Sequence, residues 1–142
     1  MNYLKVLLIA LLLHSPSVYA APKAVAPDSI KGAMTVSAEE TIKLIISNPE
    51  LVVIDARKKI EYIKAHIEGS VNILNTDMTT GSLATLMPEK NTAILFYCNG
   101  PRCQRSSDAV SKALSWGYTN VFWFRGGWKE WQEKRFPMVA GE

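Results

Sequence analysis

The chain has 142 residues, room for one ordinary domain and too few for two. Its 48% hydrophobic and 20% charged content is that of a globular protein, which excludes disorder, collagen and a polytopic membrane protein. The formal net charge is only +3 and no Lys/Arg run carries interleaved aromatics, which argues against a nucleic-acid partner; two cysteines are too few for a disulfide scaffold.

Residues 1–20 read as a secretory signal peptide. Met1 to Lys5 gives a positive start, Val6 to Leu13 is an unbroken apolar run, and Val18-Tyr19-Ala20 offers a cleavage site before Ala21. The apolar run is eight residues long, against the roughly 20 that a spanning helix needs. The mature protein, of about 122 residues, is therefore expected to be periplasmic or secreted and not membrane-anchored. Loss of the leader removes His14 and leaves His66 as the single imidazole. One histidine and two unpaired-spacing cysteines make a poor ligand set, so neither a metal nor another cofactor is expected. In an oxidising compartment Cys98 and Cys103 stand as thiols, a disulfide or something between.

The stretch 21–34 is rich in Ala, Pro and Lys without periodicity and reads as a flexible lead-in. Ser37 and Glu40 form a capping box for a helix that Asn48-Pro49 stops. Leu51 to Ile54 is a short aliphatic run, as in a strand buried on both faces. Ile60 to Ala65 reads as a short helix, its charges Lys58, Lys59, Glu61 and Lys64 forming a solvated face. Val71 to Leu74 follows as a strand, Ser82 to Met87 as a short helix, and Ala93 to Tyr97 as another apolar strand. Arg105 to Trp116 is a helix ended by Gly117, Val121 to Phe124 a last strand, and Gly126-Gly127 opens a terminal helix through Trp131. Strand and helix in alternation imply a parallel sheet covered by helices on both faces. Ligands of such sheets bind beyond the carboxyl ends of strands, and Cys98 stands where Ala93–Tyr97 ends.

The loop Cys98-Asn99-Gly100-Pro101-Arg102-Cys103-Gln104-Arg105 joins that strand to a helix N-terminus, whose backbone N–H groups favour anions. Such a cup is expected to hold Cys98 partly as thiolate. Lowering a thiol pKa by about two units takes roughly 2.7 kcal/mol, of which a helix terminus supplies about 0.3–1 kcal/mol exposed and up to about 2 sheltered. Loop amides, Arg102 and Arg105 supply the rest. The same cup suits a persulfide, whose terminal sulfur is negative and needs donors.

These residues resemble the rhodanese domain family over residues 35–137, with 138–142 left as a tail. Val52-Val53-Ile54-Asp55-Ala56-Arg57 is similar to the family's aliphatic strand followed by Asp-x-Arg, and His66-Ile67-Glu68-Gly69-Ser70-Val71-Asn72 to its His-Ile-x-Gly-x-x-Asn segment. Phe96-Tyr97-Cys98, Arg105-Ser106, and Gly117-Tyr118-Thr119-Asn120-Val121 with Gly126-Gly127 and Trp131 complete the pattern in order. The resemblance implies a three-layer α/β fold with a central parallel sheet flanked by helices. It implies sulfurtransferase activity moving sulfane sulfur from a thiosulfate-like anion to a thiophilic acceptor, through a persulfide on Cys98. The backbone of Asn99, Gly100, Pro101, Arg102, Cys103, Gln104 and Arg105 is then the substrate-binding cup. Asp55, Arg57 and His66 brace the loops, and the tryptophans pack core or rim.

Six residues, Asn99 to Gln104, separate Cys98 from Arg105-Ser106, a wider loop than the single-domain pattern, and it includes a second cysteine. Cys103 is a bland loop thiol, a resolving thiol, or an exchange partner for a thiol or redox protein. Three other readings compete with sulfur transfer. They are a periplasmic thiol-disulfide oxidoreductase using Cys98 and Cys103, a non-catalytic binding module, and an oxyanion phosphatase or arsenate reductase.

Overall fold

The computed structural model describes residues 25–141; the expected leader and its cleavage site lie outside them. In chain order the elements are β1 (Ala33–Thr35), α1 (Ala38–Ser47), β2 (Val52–Asp55), α2 (Lys59–Lys64) and β3 (Val71–Asn72). They continue as α3 (Thr80–Leu86), β4 (Ile94–Tyr97), α4 (Arg105–Ser115), β5 (Val121–Phe124) and α5 (Gly127–Glu133). The five strands form one sheet in the order β1-β5-β4-β2-β3, with every neighbouring pair parallel. This is the α/β sheet that the alternation of apolar runs and helical segments predicts.

Local chemistry sets the helix ends. The Ser37 hydroxyl accepts from the Glu40 amide at 3.2 Å while the Glu40 carboxylate accepts from the Ser37 amide at 2.8 Å, the predicted capping box. Thr79 and Ser82 make the same reciprocal pair at the start of α3.

Strand alternation divides the core into two layers. Ile94 and Phe96 of β4 point with Ile54, Val121 and Trp123 toward α3 and α4, where Leu83, Ala109, Val110 and Ala113 meet them. Leu95 and Tyr97 point the other way with Val53 and Phe124, against Ala38 of α1 and Trp128 and Trp131 of α5. The helices therefore cover both faces. Cys98 continues the alternation and falls on the α4 side.

The expected lead-in and tail both change, β3 ends at Asn72 and not Leu74, and α3 begins at Thr80 and not Ser82. Ala33 and Met34, placed in the lead-in, belong to β1, which pairs with β5 through Ala33 to Val121 and Thr35 to Trp123. Three residues, two of them exposed, make an edge strand with no apolar run to announce it. Upstream of β1 the chain is also anchored. Ala26 is buried, its amide donates to the Pro101 carbonyl at 2.9 Å, and Arg125 donates to the carbonyls of Pro27 and Ala26. The tail is tied as well, because Val139 and His66 exchange backbone hydrogen bonds at 2.9 and 3.1 Å.

β2 and β4 lie side by side at the centre of the sheet, and the chain leaves them in opposite directions, to β3 on one flank and β5 on the other. A crevice opens beyond the carboxyl ends of such a pair. The ends here are Asp55-Ala56-Arg57 and Tyr97-Cys98-Asn99.

Candidate active site

The floor of the site is rigid because β4 is buried along its whole length. Beneath the crevice Asp55 and Arg57 form a buried ion pair at 2.6 Å. The Tyr97 hydroxyl donates to the same Asp55 carboxylate at 2.6 Å, and Arg57 also donates to the Ala65 carbonyl at 2.9 Å. The Arg57 guanidinium lies 4.5 Å from the Trp128 ring centroid. Burial, then the Asp55 charge, pushes the Tyr97 phenol up, so it stays a donor at ordinary pH. His66 is buried, stacked on Tyr62 with 3.7 Å between ring centroids, and its Nδ1 is within 2.9 Å of the Tyr62 carbonyl. These groups brace the frame, as expected of them, and none faces the cavity described next.

Over this frame the loop 98–105 is held from outside by its carbonyls. Those of Cys98 and Asn99 accept from the amides of Trp128 and Lys129 at 2.8 and 3.0 Å, which docks the start of α5 on the loop. Gly127 permits that approach: it sits at φ +58, and a Cβ there would press on the Cys98 carbonyl oxygen and come within 3.0 Å of the Gly100 nitrogen. The Cys103 amide donates to the Gly100 carbonyl at 2.8 Å, closing a turn with Pro101 in its second position. The amides of Arg102 and Gln104 have no acceptor among the described residues, and Gln104 makes no side-chain cap on α4.

A cavity of about 840 Å³ opens over this loop. All seven residues from Asn99 to Arg105 line it, joined by Asn75, Asp108 and Lys129. Its charged lining is thus Arg102, Arg105 and Lys129 against Asp108, a balance that favours an anion. Cys98 is absent from the lining and is 1% exposed.

The two sulfurs have different surroundings, and here the expected ionisation of Cys98 is corrected. Its sulfur lies 3.2 Å from the Cys103 carbonyl oxygen and 3.0 Å from the Ser106 hydroxyl. The Trp123 indole donates to that hydroxyl at 3.0 Å. Because an indole N–H only donates, the Ser106 hydrogen is left for the Cys98 sulfur, while the Cys98 S–H faces acceptors on Cys103. A carbonyl oxygen against the sulfur opposes a thiolate. The hydrogen bond to Cys103, burial and the Cys103 charge all push the Cys98 thiol up, with Ser106 opposing.

Cys103 is half-buried and lies in the cavity wall. Its thiol is pushed down to about 6 by the hydrogen bond from Cys98, against burial, with the Asn99 and Arg105 amides and the Arg105 charge assisting. The loop amides are thus divided between the two sulfurs, those of Asn99 and Arg105 acting on Cys103 and that of Ser106 on Cys98.

Glu61 is the functional residue that sequence reasoning missed. Its carboxylate accepts from the Asn99 side chain at 2.7 Å and lies 3.4 Å from the Arg105 guanidinium, clamping both ends of the loop. Burial opposes its charge, but the bonds from Asn99 and the Lys58 amide, with Arg105, hold its carboxyl below the usual range. The signal was positional: α2 starts just past the end of β2, so its first turn stands at the carboxyl edge of the sheet.

Comparison with known proteins agrees with this geometry. A family model described as Rhodanese-like domain matches residues 37–134. The chain is 32% identical over 106 residues to a rhodanese domain-containing protein of Drosophila melanogaster, covering 67% of this chain and 94% of that one. It is 34% identical over 68 residues to a thiosulfate sulfurtransferase of Escherichia coli strain K12, covering 48% of this chain and 62% of the other. The solved thiosulfate sulfurtransferase of Pseudomonas aeruginosa superposes with a TM-score of 0.68 at 26% identity, covering 78% of this chain and 21% of that one.

Proposed function

Because the chain belongs to the rhodanese-like domain family, we propose that it is a sulfurtransferase moving sulfane sulfur through its loop thiols. The observation that carries this is a cavity at the end of β4 lined by the Cys103 thiol, three cations and loop amides without an acceptor among the described residues, with the Cys98 sulfur beneath it, 3.2 Å from the Cys103 carbonyl oxygen. The donor is a small anion of the thiosulfate type, drawn by Arg102, Arg105 and Lys129. A loop thiolate attacks its outer sulfur, forming R–S–S⁻ and releasing sulfite, so charge is conserved and no general base is needed. The persulfide retains the negative charge that the loop amides already favour. A thiophilic acceptor such as cyanide or a thiol then removes the sulfur and restores the thiolate. In the exported setting that the leader implies, a thiol or redox protein is the natural acceptor class.

The test is rapid mixing of the fully reduced protein with thiosulfate. One equivalent of sulfite per chain is expected in a burst, followed by steady thiocyanate formation once cyanide is added. A reduced, folded protein that releases no sulfite would overturn the proposal. Sulfite release that persists in the variant lacking both Cys98 and Cys103 would overturn it equally.

A further inference from the structure

Resting on that sulfurtransferase reading, we propose that residues 25–28 form a strap that positions the tip of the anion-binding loop, and that Arg125, which fixes the strap, is a positioning residue for the donor. The tip is where the loop is least held. The Cys98 and Asn99 carbonyls are docked on α5, and Glu61 ties the Asn99 side chain and Arg105 at the two ends. Between those ends Pro101 has no N–H, so its carbonyl is its one backbone hydrogen-bonding group. That carbonyl accepts from the Ala26 amide at 2.9 Å, and the Gln104 side-chain amide donates to the Val25 carbonyl at 3.4 Å. The next residue, Arg102, is exposed, and its side chain makes no hydrogen bond or ion pair among the described residues. Its place over the cavity therefore depends on how Pro101 is held.

The strap is itself anchored in two ways. Ala26 is 4% exposed and belongs to the apolar cluster that contains Cys98 and Trp123, so its methyl group fixes the depth at which the chain crosses. Arg125 stands just past the end of β5, the strand beside β4. It donates to the Pro27 carbonyl at 2.7 Å, the Ala26 carbonyl at 3.1 Å and Asp28 Oδ1 at 3.0 Å. A guanidinium suits this task because its planar array of donors meets several oxygens at once. Ala26 joins the two systems: its carbonyl takes a hydrogen bond from Arg125 and its amide gives one to the loop. Arg125 does not line the cavity, so its effect on the donor passes through the strap.

The experiment measures the two half-reactions separately, as kcat/KM for thiosulfate and kcat/KM for cyanide. It compares reduced wild type, Arg125→Gln, Ala26→Pro and the double variant. Arg125→Gln should lower kcat/KM for thiosulfate by roughly three- to tenfold, the worth of one neutral hydrogen bond. It should leave kcat/KM for cyanide within about twofold, because cyanide meets a persulfide already formed and needs no contact with the donor's oxyanion end. Ala26→Pro removes the amide on which Pro101 rests and keeps the acceptors of Arg125, so the same one-sided loss is expected. Both changes act through one hydrogen bond, so the double variant should be no slower than the slower single variant. A misfolded fraction would instead lower both constants in proportion. Such a parallel loss, a change of less than about twofold in Arg125→Gln, or losses that multiply in the double variant would overturn the strap and leave sulfur transfer standing. A wild type that releases no sulfite from thiosulfate overturns the sulfurtransferase reading itself.

Discussion

Asp55→Ala is expected to cost about 3–5 kcal/mol of folding stability, the usual penalty for stripping a buried charge of its partner. Against a typical total of about 5–15 kcal/mol, that leaves a marginal or unfolded domain. The size follows from the contacts. Asp55 is fully buried, and its carboxylate takes hydrogen bonds from the Arg57 amide at 2.9 Å, from the Arg57 guanidinium and from the Tyr97 hydroxyl. Its removal leaves a guanidinium with 2% exposure and no counter-charge beneath the crevice. It also frees the Tyr97 hydroxyl, which the Ile67 amide and Ser70 otherwise help to position at 3.2 and 3.3 Å. Urea unfolding read by tryptophan fluorescence measures the loss. Asp55→Ala with Arg57→Met should recover part of it, since two apolar side chains leave no charge to bury. A single variant within about 1 kcal/mol of wild type, the range of an exposed pair, would show that the pair does not brace the fold.

Arg105→Gln is expected to lower kcat/KM for thiosulfate by roughly ten- to a hundredfold, the worth of a hydrogen bond to a charged group at about 1.5–3 kcal/mol. Arg105 is the first residue of α4, lines the cavity and acts on the Cys103 sulfur through both its amide and its charge. The substitution keeps the amide and removes the charge, so the effect isolates the guanidinium. Arg105→Lys should lose less, because it retains the charge while giving up the single guanidinium contact with Glu61 at 3.4 Å. Rates measured across donor concentration check this, and a change of less than twofold for Arg105→Gln would place the donor elsewhere.

Much of this architecture is legible in the chain. The apolar runs Leu51–Ile54, Ala93–Tyr97 and Val121–Phe124 recur as β2, β4 and β5 within a residue or so, because a strand buried on both faces has no polar positions to blur its ends. β1 is not legible: Ala33-Met34-Thr35 is a half-exposed edge whose order comes from pairing with β5, a partner nearly ninety positions away. All seven residues expected to form the cup line the cavity, since a strand end followed by a helix start fixes where a loop lies. A linear reading cannot give the direction of each carbonyl and amide within that loop. The Gly100 to Cys103 turn sets those directions, and with them which sulfur rests against the Cys103 carbonyl. Glu61 was concealed by the same limit, as a charge on a short helix looks solvated until its neighbours across the crevice are known.

The division between the sulfurs is most directly tested by alkylation of the reduced protein with iodoacetamide over a range of pH, with modification at each cysteine resolved by peptide mass. A thiol reacts as its thiolate, so its rate rises with pH until the group is ionised and is then level. Cys103 should reach half its limiting rate near pH 6 and fall about tenfold per pH unit below that, while Cys98 stays unmodified throughout the neutral range. Modification of Cys98 ahead of Cys103, or a Cys103 midpoint at about 8.5 as in a free thiol, would contradict the account.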